Sequence, residues 1–428
     1  MPDPIRETLA DLRKGGLYRR LRAVGPAAGP RATLDGREVL LFASNNYLGL
    51  AADPRVAEAL RRGAQRWGWG AGASRLLAGH TEAHAALEAD LAAWLGAEAA
   101  LVFPTGYMTN LGAVTALAGR GDTVVMDRAC HASLYDAAAM ARARLVRYPQ
   151  CDAAAADRSL AVAARKGPRS RAGDASHSRA VGLRTHRAER GGPGDPPRGR
   201  MLLATDAVFS MDGRRAPLSA LAAAARARGA ALLLDEAHAL GVLGENGAGL
   251  AEEHGIGDKT TVRVGTLSKA LGGVGGFVAA SRDLVDLLVN RARPFIYTTA
   301  LPAAACEAAR QALRILQAEP ERRRRLHEAS RRLRTRLREE GFDLGPAGDA
   351  GAGAAPPPTP IVPVILGEAE RALAAAAALL ERGIFCPAVR PPTVPPGTSR
   401  LRISLTAEHT EDDINRLVAA LLAARDGA

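Results

Sequence analysis

Lysine is scarce in this chain: of 57 basic residues, only Lys14, Lys166, Lys259 and Lys269 are not arginine. Long apolar runs are missing as well. No stretch approaches the roughly 20 residues that a membrane-spanning helix needs, and Met1-Pro2-Asp3-Pro4-Ile5-Arg6 lacks the apolar core of a secretory signal. The expectation is a cytoplasmic protein with no membrane partner. Cysteine is limited to Cys130, Cys151, Cys306 and Cys386, far apart and without paired spacing, which argues against a disulfide framework and against a metal site. No Walker-type Gly-x4-Gly-Lys-Ser/Thr occurs, so P-loop nucleotide hydrolysis is excluded. No internal repeat is apparent.

The formal charge of +12 invites a nucleic-acid reading, but it is unevenly spread. Residues 165–200 hold nine Arg and one Lys against Asp174, Glu189 and Asp195, a local excess of +7. That window is rich in Gly, Pro and Ser, and its only apolar residues larger than alanine are Val181 and Leu183. It is expected to be a disordered basic insertion, because it cannot bury enough surface to offset its ordering entropy. Its charges fall on no helix face and no aromatic residue interleaves them, so no nucleic-acid partner is expected.

A chain of 428 residues that is 47% hydrophobic can bury a large core and divide into two or three domains. The pattern predicts an arm over residues 1–53, with a helix from Ile5 to about Arg22 and a strand from Val39 to Ala43 leading into Ser44-Asn45-Asn46-Tyr47-Leu48-Gly49. Residues 54–300 alternate helical stretches (55–65, 83–95, 218–228) with short apolar runs at 100–103, 123–126, 201–204, 231–234 and 262–265, which read as buried parallel strands. Residues 301–428 predict one long Arg-rich helix, 303–340, then strands 361–366 and 401–405 with helices 368–382 and 412–424, a smaller α+β domain. In open α/β sheets, chemistry gathers at the carboxyl ends of the strands.

The polar residues of interest follow those strands. Asp235-Glu236-Ala237-His238 puts a carboxylate at one strand tip and an imidazole three residues on, an arrangement suited to a heteroaromatic cofactor but weak evidence alone. Pro104-Thr105-Gly106-Tyr107-Met108-Thr109-Asn110 opens a helix, either as a simple cap or as a phosphate cradle. His131, past another strand, either stacks on a ring or bonds nearby backbone. Thr266-Leu267-Ser268-Lys269 leads into a glycine-rich turn. A lysine amine can lose its proton when desolvated and attack a carbonyl, which a guanidinium cannot do.

Taken together and in this order, Thr-Gly-Tyr, His131, Asp235 with His238, and Thr-Leu-Ser-Lys269 resemble the α-oxoamine synthase family of fold type I pyridoxal 5′-phosphate (PLP) enzymes. The likeness runs from about Gly16 to Leu421, interrupted by the basic insertion. It implies an aspartate aminotransferase-like α/β fold, with residues 54–300 as the PLP-binding domain and a central, mostly parallel sheet. It also implies a homodimer with its active site at the subunit interface. Lys269 would hold the cofactor and act as general base, Asp235 would pair with the ring nitrogen, and His131 would stack on the ring. His238 and Ser210 would face the phenolic oxygen. Gly106, Tyr107 and Thr266 would hold the phosphate, with Thr298 or Thr299 arriving from the second subunit. Asn45 and Arg402 would bind an amino-acid carboxylate, and Arg19 and Thr393 would lie near the acyl substrate.

Four further segments, 44–50, 208–213, 293–299 and 390–397, are close to the branch that condenses L-alanine with a pimeloyl thioester on the way to biotin. The donor would be pimeloyl-CoA or pimeloyl-ACP. Sister activities of the same family, such as glycine C-acetyltransferase, 5-aminolevulinate synthase or a serine-using sphingolipid enzyme, are the alternatives. Two departures from the family pattern stand out: the insertion, and Asp206 where relatives carry glutamate, for which a retained role at a slightly altered hydrogen-bond distance is expected.

Overall fold

Apolar runs that are buried along their whole length need cover on both faces, and the central sheet has it. The computed structural model describes residues 3–15, 17–165, 199–346 and 358–426. Most of the basic insertion and of the Ala/Gly/Pro stretch near residue 350 lies outside these. Seven strands form the sheet in the spatial order Ala99–Phe103, Gly276–Ala280, Thr261–Thr266, Ala231–Asp235, Met201–Asp206, Thr123–Asp127 and Arg144–Tyr148. All pairings are parallel except those of Gly276–Ala280, which runs antiparallel to both neighbours. Alternate residues feed two separate cores. Leu101 and Phe103 pack with helices Gly106–Leu117, Ala132–Ala141 and Arg282–Arg291, whereas Ala100 and Val102 pack with Glu82–Leu95, Ala153–Arg165, Leu218–Ala227 and Ala303–Ala318.

Val24–Ala28, Arg31–Leu34 and Arg37–Leu41 form a second, four-stranded sheet with a strand from the last part of the chain, Ile384–Phe385, which pairs in parallel with Arg37–Leu41. A three-stranded antiparallel sheet follows in the order Ile361–Gly367, Ser399–Ser404 and Ala388–Val389, with helices Ala369–Glu381 and Glu411–Asp426. Among the described residues, no helix is long and apolar enough to cross a membrane.

Several boundaries differ from the residue pattern. The N-terminal helix is Pro4–Lys14, not Ile5 to Arg22: Asp3 caps it by accepting from the Ile5 N–H at 3.0 Å, and Gly15 ends it. The predicted helix 303–340 is two helices, Ala303–Ala318 and Pro320–Glu339. Pro320 has no N–H to donate and drives Glu319 out of the helical region, to φ −122° and ψ 64°. The strand expected at Val39–Ala43 is Arg37–Leu41, and the residue pattern does not mark the strands Arg144–Tyr148 and Gly276–Ala280. The first is an edge strand with arginines interrupting its apolar residues. The second follows a glycine-rich run that reads locally as a loop.

Arg263, a buried charge on a central strand, anchors the site from behind. Arg263 donates through Nε to Glu236 Oε2 at 2.7 Å and through Nη1 to the Leu95 carbonyl at 3.0 Å. Glu236 also accepts the Ala251 N–H at 2.9 Å. Both charges are buried and well bonded, so removing either would strand the other, a change that typically costs about 3–5 kcal/mol. The pair fixes the turn that begins at Asp235.

Candidate active site

The carboxyl ends of the central strands surround a cavity of about 280 Å³, lined among others by Gly106, Tyr107, His131, Asp235, His238, Thr266 and Lys269. These seven residues, drawn from stretches up to about 160 positions apart, are thus brought together. The helix Gly106–Leu117 opens here, capped by Thr105 Oγ1, which accepts the Met108 N–H at 3.1 Å. N–H groups in a first helical turn have no intrahelical acceptor, so they are available to an anion. The close approach of the neighbouring strand requires glycine at 276, where a Cβ would lie 2.7 Å from Gly106 Cα. Thr266 Oγ1 accepts the Ser268 N–H at 3.2 Å and bonds the Gly275 carbonyl at 3.0 Å, closing the turn that carries Lys269. Gly272, at φ +66°, ends that turn against Ala51: a Cβ would lie 2.2 Å from the Ala51 nitrogen.

Asp235 is buried, accepting the Ala237 N–H through Oδ1 at 2.9 Å and the Asn110 amide through Oδ2 at 2.7 Å. A carboxylate offers about four acceptor positions, so capacity remains towards the cavity. The second Asn110 hydrogen goes to Ser133 Oγ at 2.9 Å, and Ser133 Oγ lies 2.8 Å from His131 Nδ1. His131 Nδ1 also accepts the Ser133 N–H at 3.3 Å, which leaves the imidazole hydrogen on Nε2. Asn110 and Ser133 therefore join the carboxylate to the histidine. Neither was singled out from sequence. Their only local signals are spacing, one helical turn after Gly106 and two residues after His131.

Lys269 Nζ lies 2.9 Å from His238 Nε2, and His238 Nδ1 lies 2.6 Å from the buried Tyr47 hydroxyl. Burial holds the lysine amine down to about 8; the charges of Asp235 and Asp206 oppose the shift and Arg402 adds to it. Burial also holds the His238 imidazole well below its ordinary range, aided by Lys269 and Arg402. An amine brought this close to neutrality keeps a neutral fraction that is a nucleophile and a base, which an ordinary lysine lacks. Asp206 sits beside Asp235 in the parallel register and accepts the His131 N–H at 3.3 Å. Burial, and then the Asp235 charge, push its carboxyl well above the usual range.

The other expected residues lie elsewhere. Asn45 and Arg402 meet each other, with Arg402 Nη2 donating to Asn45 Oδ1 at 3.2 Å, and connect to the cavity through Tyr47. Arg402 also donates to Ser404 Oγ at 2.6 Å and through Nε to the Ser210 carbonyl, so Ser210 is engaged by its backbone and does not line the cavity. Thr298 is half-buried and Thr299 exposed, the latter bridging to Ser74, and neither lines the cavity of this chain. Arg19 and Thr393 are exposed and also outside it. Among the described residues no cluster suited to a metal ion occurs.

A lysine amine lowered by burial to about 8, a helix start open to an anion, and a buried carboxylate with lone pairs to spare fit a phosphorylated heteroaromatic aldehyde. Comparison with known proteins agrees. The model of the aminotransferase class I and II family matches residues 37–421. The 8-amino-7-oxononanoate synthase of Anaeromyxobacter dehalogenans (strain 2CP-1) is 47% identical over 421 residues, 98% of this chain and 95% of that protein. The enzyme of the same name from Geobacter sulfurreducens is 46% identical over 424 residues, 98% and 97% of the two chains. Among solved structures, the serine palmitoyltransferase of Sphingomonas wittichii superposes with a TM-score of 0.83 at 31% identity, covering 99% of this chain and 97% of that one. The 8-amino-7-oxononanoate synthase of Francisella tularensis superposes with a TM-score of 0.68 at 25% identity, covering 90% and 97%. The chain belongs to the class I and II aminotransferase family and, within it, to the 8-amino-7-oxononanoate synthases, PLP-dependent C-acyltransferases of the α-oxoamine synthase group.

Proposed function

We propose that this chain joins L-alanine to a pimeloyl thioester, carried by coenzyme A or an acyl carrier protein, in biotin biosynthesis. The carbon count of the product named for its relatives supports this. A seven-carbon pimeloyl group supplies C1 to C7, alanine supplies C8, C9 and the nitrogen, the alanine carboxyl leaves as CO2 and the thiol departs. When bound, PLP supplies an electron-poor ring that accepts the electron pair left at the amino acid's α-carbon.

The chain's own residues do the rest. Lys269 would hold the cofactor, and its Nζ would take the α-proton. Asp235, locked by Asn110, would face the ring nitrogen and favour its protonated form. His131 would stack on the ring and His238 would face the phenolic oxygen, with Ser210 assigned to assist from the Arg402 side. Gly106, Tyr107 and Thr266 would hold the phosphate. Arg402 and Asn45 orient the alanine carboxylate, and Arg19 and Thr393 are assigned to the acyl chain. The observation that carries this reading is the Lys269 amine, poised near neutrality at 2.9 Å from His238 in the same cavity as Asp235.

One pocket methyl group is worth only ~1–3 kcal/mol of discrimination, so the substrate pair needs a direct test. Purified enzyme is incubated with alanine, glycine or serine and with pimeloyl, acetyl, succinyl or palmitoyl thioesters, and products are read by mass spectrometry. The nine-carbon amino ketone from alanine and pimeloyl thioester is expected to dominate. A glycine or serine product with no pimeloyl product would assign the chain to a sister activity.

The working unit is proposed to be a homodimer whose phosphate site is completed by Thr298 or Thr299 of the second copy. Supporting this, Trp69, Leu76, Leu77 and Tyr297 are exposed apolar side chains on two segments that meet through the Ser74–Thr299 bridge. Leu77→Asp is expected to shift the sedimentation coefficient towards a monomer and to weaken PLP binding by tenfold or more. A wild-type protein that sediments as a monomer and binds PLP fully would overturn the proposal. The proposed location is the cytoplasm, which suits a chain whose four cysteines lie far apart in sequence without paired spacing.

A further inference from the structure

Tyr47 takes no part in the chemistry above, yet it is fully buried between the carboxylate-binding pair and the lysine. Its hydroxyl lies 2.6 Å from His238 Nδ1 and 3.2 Å from Asn45 Oδ1. Beyond these, His238 Nε2 lies 2.9 Å from Lys269 Nζ, and Arg402 Nη2 donates to the same Asn45 oxygen at 3.2 Å. Hydrogen counting leaves few arrangements. Arg402 only donates, so the Asn45 atom facing it and Tyr47 is an oxygen that only accepts. Tyr47 has a single proton, and burial pushes its phenol up to about 12, so it stays protonated. Burial, with Lys269 and Arg402 beside it, keeps the imidazole singly protonated.

Two registers satisfy these conditions. When Lys269 is an ammonium it can only donate, so His238 Nε2 must accept, Nδ1 carries the hydrogen and donates to Tyr47, and the Tyr47 O–H turns to Asn45. When Lys269 is a neutral amine it can accept from Nε2–H, and Tyr47 donates to Nδ1 instead. We propose that Tyr47 is a positioning residue that sets which nitrogen of His238 carries the hydrogen and thereby couples the protonation of Lys269 to the carboxylate-binding pair Asn45 and Arg402. Arrival of the α-proton on Lys269 Nζ switches the chain to the first register, which stabilises the new ammonium. This deepens the reading of Lys269 as proton acceptor and rests on it.

Removal of the Tyr47 hydroxyl orphans the Nδ1–H donor of the ammonium register, so the Lys269 pKa falls. The charged and titratable groups around Lys269, namely Asp235, Asp206, Arg402, His131 and His238, are unchanged by this substitution.

The scarcity of lysine makes the test direct. Full-length protein freed of PLP and labelled with 13C at lysine Cε gives four signals to titrate, and Lys269→Ala identifies the one that matters. Tyr47→Phe is expected to lower the Lys269 midpoint by roughly half a unit or more, the size of one lost hydrogen bond. Asn45→Ala, which leaves the buried ring in place, is expected to lower it in the wild-type background and to do nothing further in Tyr47→Phe. An unchanged midpoint in Asn45→Ala, or additive shifts in the double variant, would overturn the proposal, as would an unchanged midpoint in a folded Tyr47→Phe. In the holoenzyme, exchange of the L-alanine α-hydrogen in D2O should slow about tenfold in Tyr47→Phe while alanine affinity changes little. A coupled titration in an enzyme that never exchanges the α-hydrogen would keep the relay and reject Lys269 as the base.

Discussion

Lys269→Ala is expected to lose turnover by at least ~10³-fold while gaining stability in the cofactor-free state. The first effect follows from the role proposed for the amine, since a positioned base alone contributes on the order of 10²–10⁴ and this one is also proposed to tether the cofactor. The second follows from its desolvation. The amine is held down to about 8 in the folded protein against 10.5 as its ordinary value, so the unfolded chain binds this proton more tightly. Stability therefore rises with pH wherever the unfolded state is the more protonated, between about 8 and 10.5, and the penalty is fully present below about 8. At neutral pH the penalty is roughly 3–4 kcal/mol, at about 1.4 kcal/mol per pKa unit. Thermal melts of the two cofactor-free proteins check this. The variant should melt higher at pH 7, and the gap should close towards pH 10.5. A variant that melts lower at pH 7 and stays lower as pH rises would show that Lys269 is not held against its solvation preference.

Asp235→Asn is the second large effect expected, a turnover loss of about 10²-fold or more with PLP affinity weakened as well. The reason is a count of acceptors. Asp235 receives hydrogens from Ala237 N and Asn110 Nδ2, on separate oxygens. A carboxamide has one acceptor oxygen, so its NH2 must face one of those donors, at a cost of about 1–3 kcal/mol for the orphaned group. It also removes the anion proposed to face the ring nitrogen. Asp206→Asn is the control. Burial and the neighbouring Asp235 charge already favour the protonated Asp206 carboxyl, which a carboxamide resembles, so turnover should stay within about threefold of wild type. Equal losses at both positions, or a mild Asp235→Asn phenotype with intact PLP binding, would refute the division of labour between the two carboxyls.

Much of this candidate site is legible in the residue pattern alone, and the reason is local. A strand tip is marked by the end of an apolar run, and Asp235, His131, Gly106 and Lys269 each follow such a run or the turn after it. Where local signals conflicted, the pattern misled. Thirty-eight residues of helical periodicity hid the break that Pro320 imposes, and glycines before Gly276 hid a strand whose partners, Thr261–Thr266 and Ala99–Phe103, are needed to define it.

What the sequence determined by itself is the set of reactive groups and their placement at strand ends, because apolar periodicity and turn chemistry act over a few residues. Only the tertiary structure decided what each group experiences. Asn110 reaches Asp235 across 125 positions and Tyr47 reaches His238 across 191. The Lys269 amine is lowered by burial that the whole sheet and its covering helices create together. Hydrogen-bond partners and desolvation depend on contacts between distant segments, so the scarcity of lysine could mark Lys269 as unusual, but only the packed fold makes it a base.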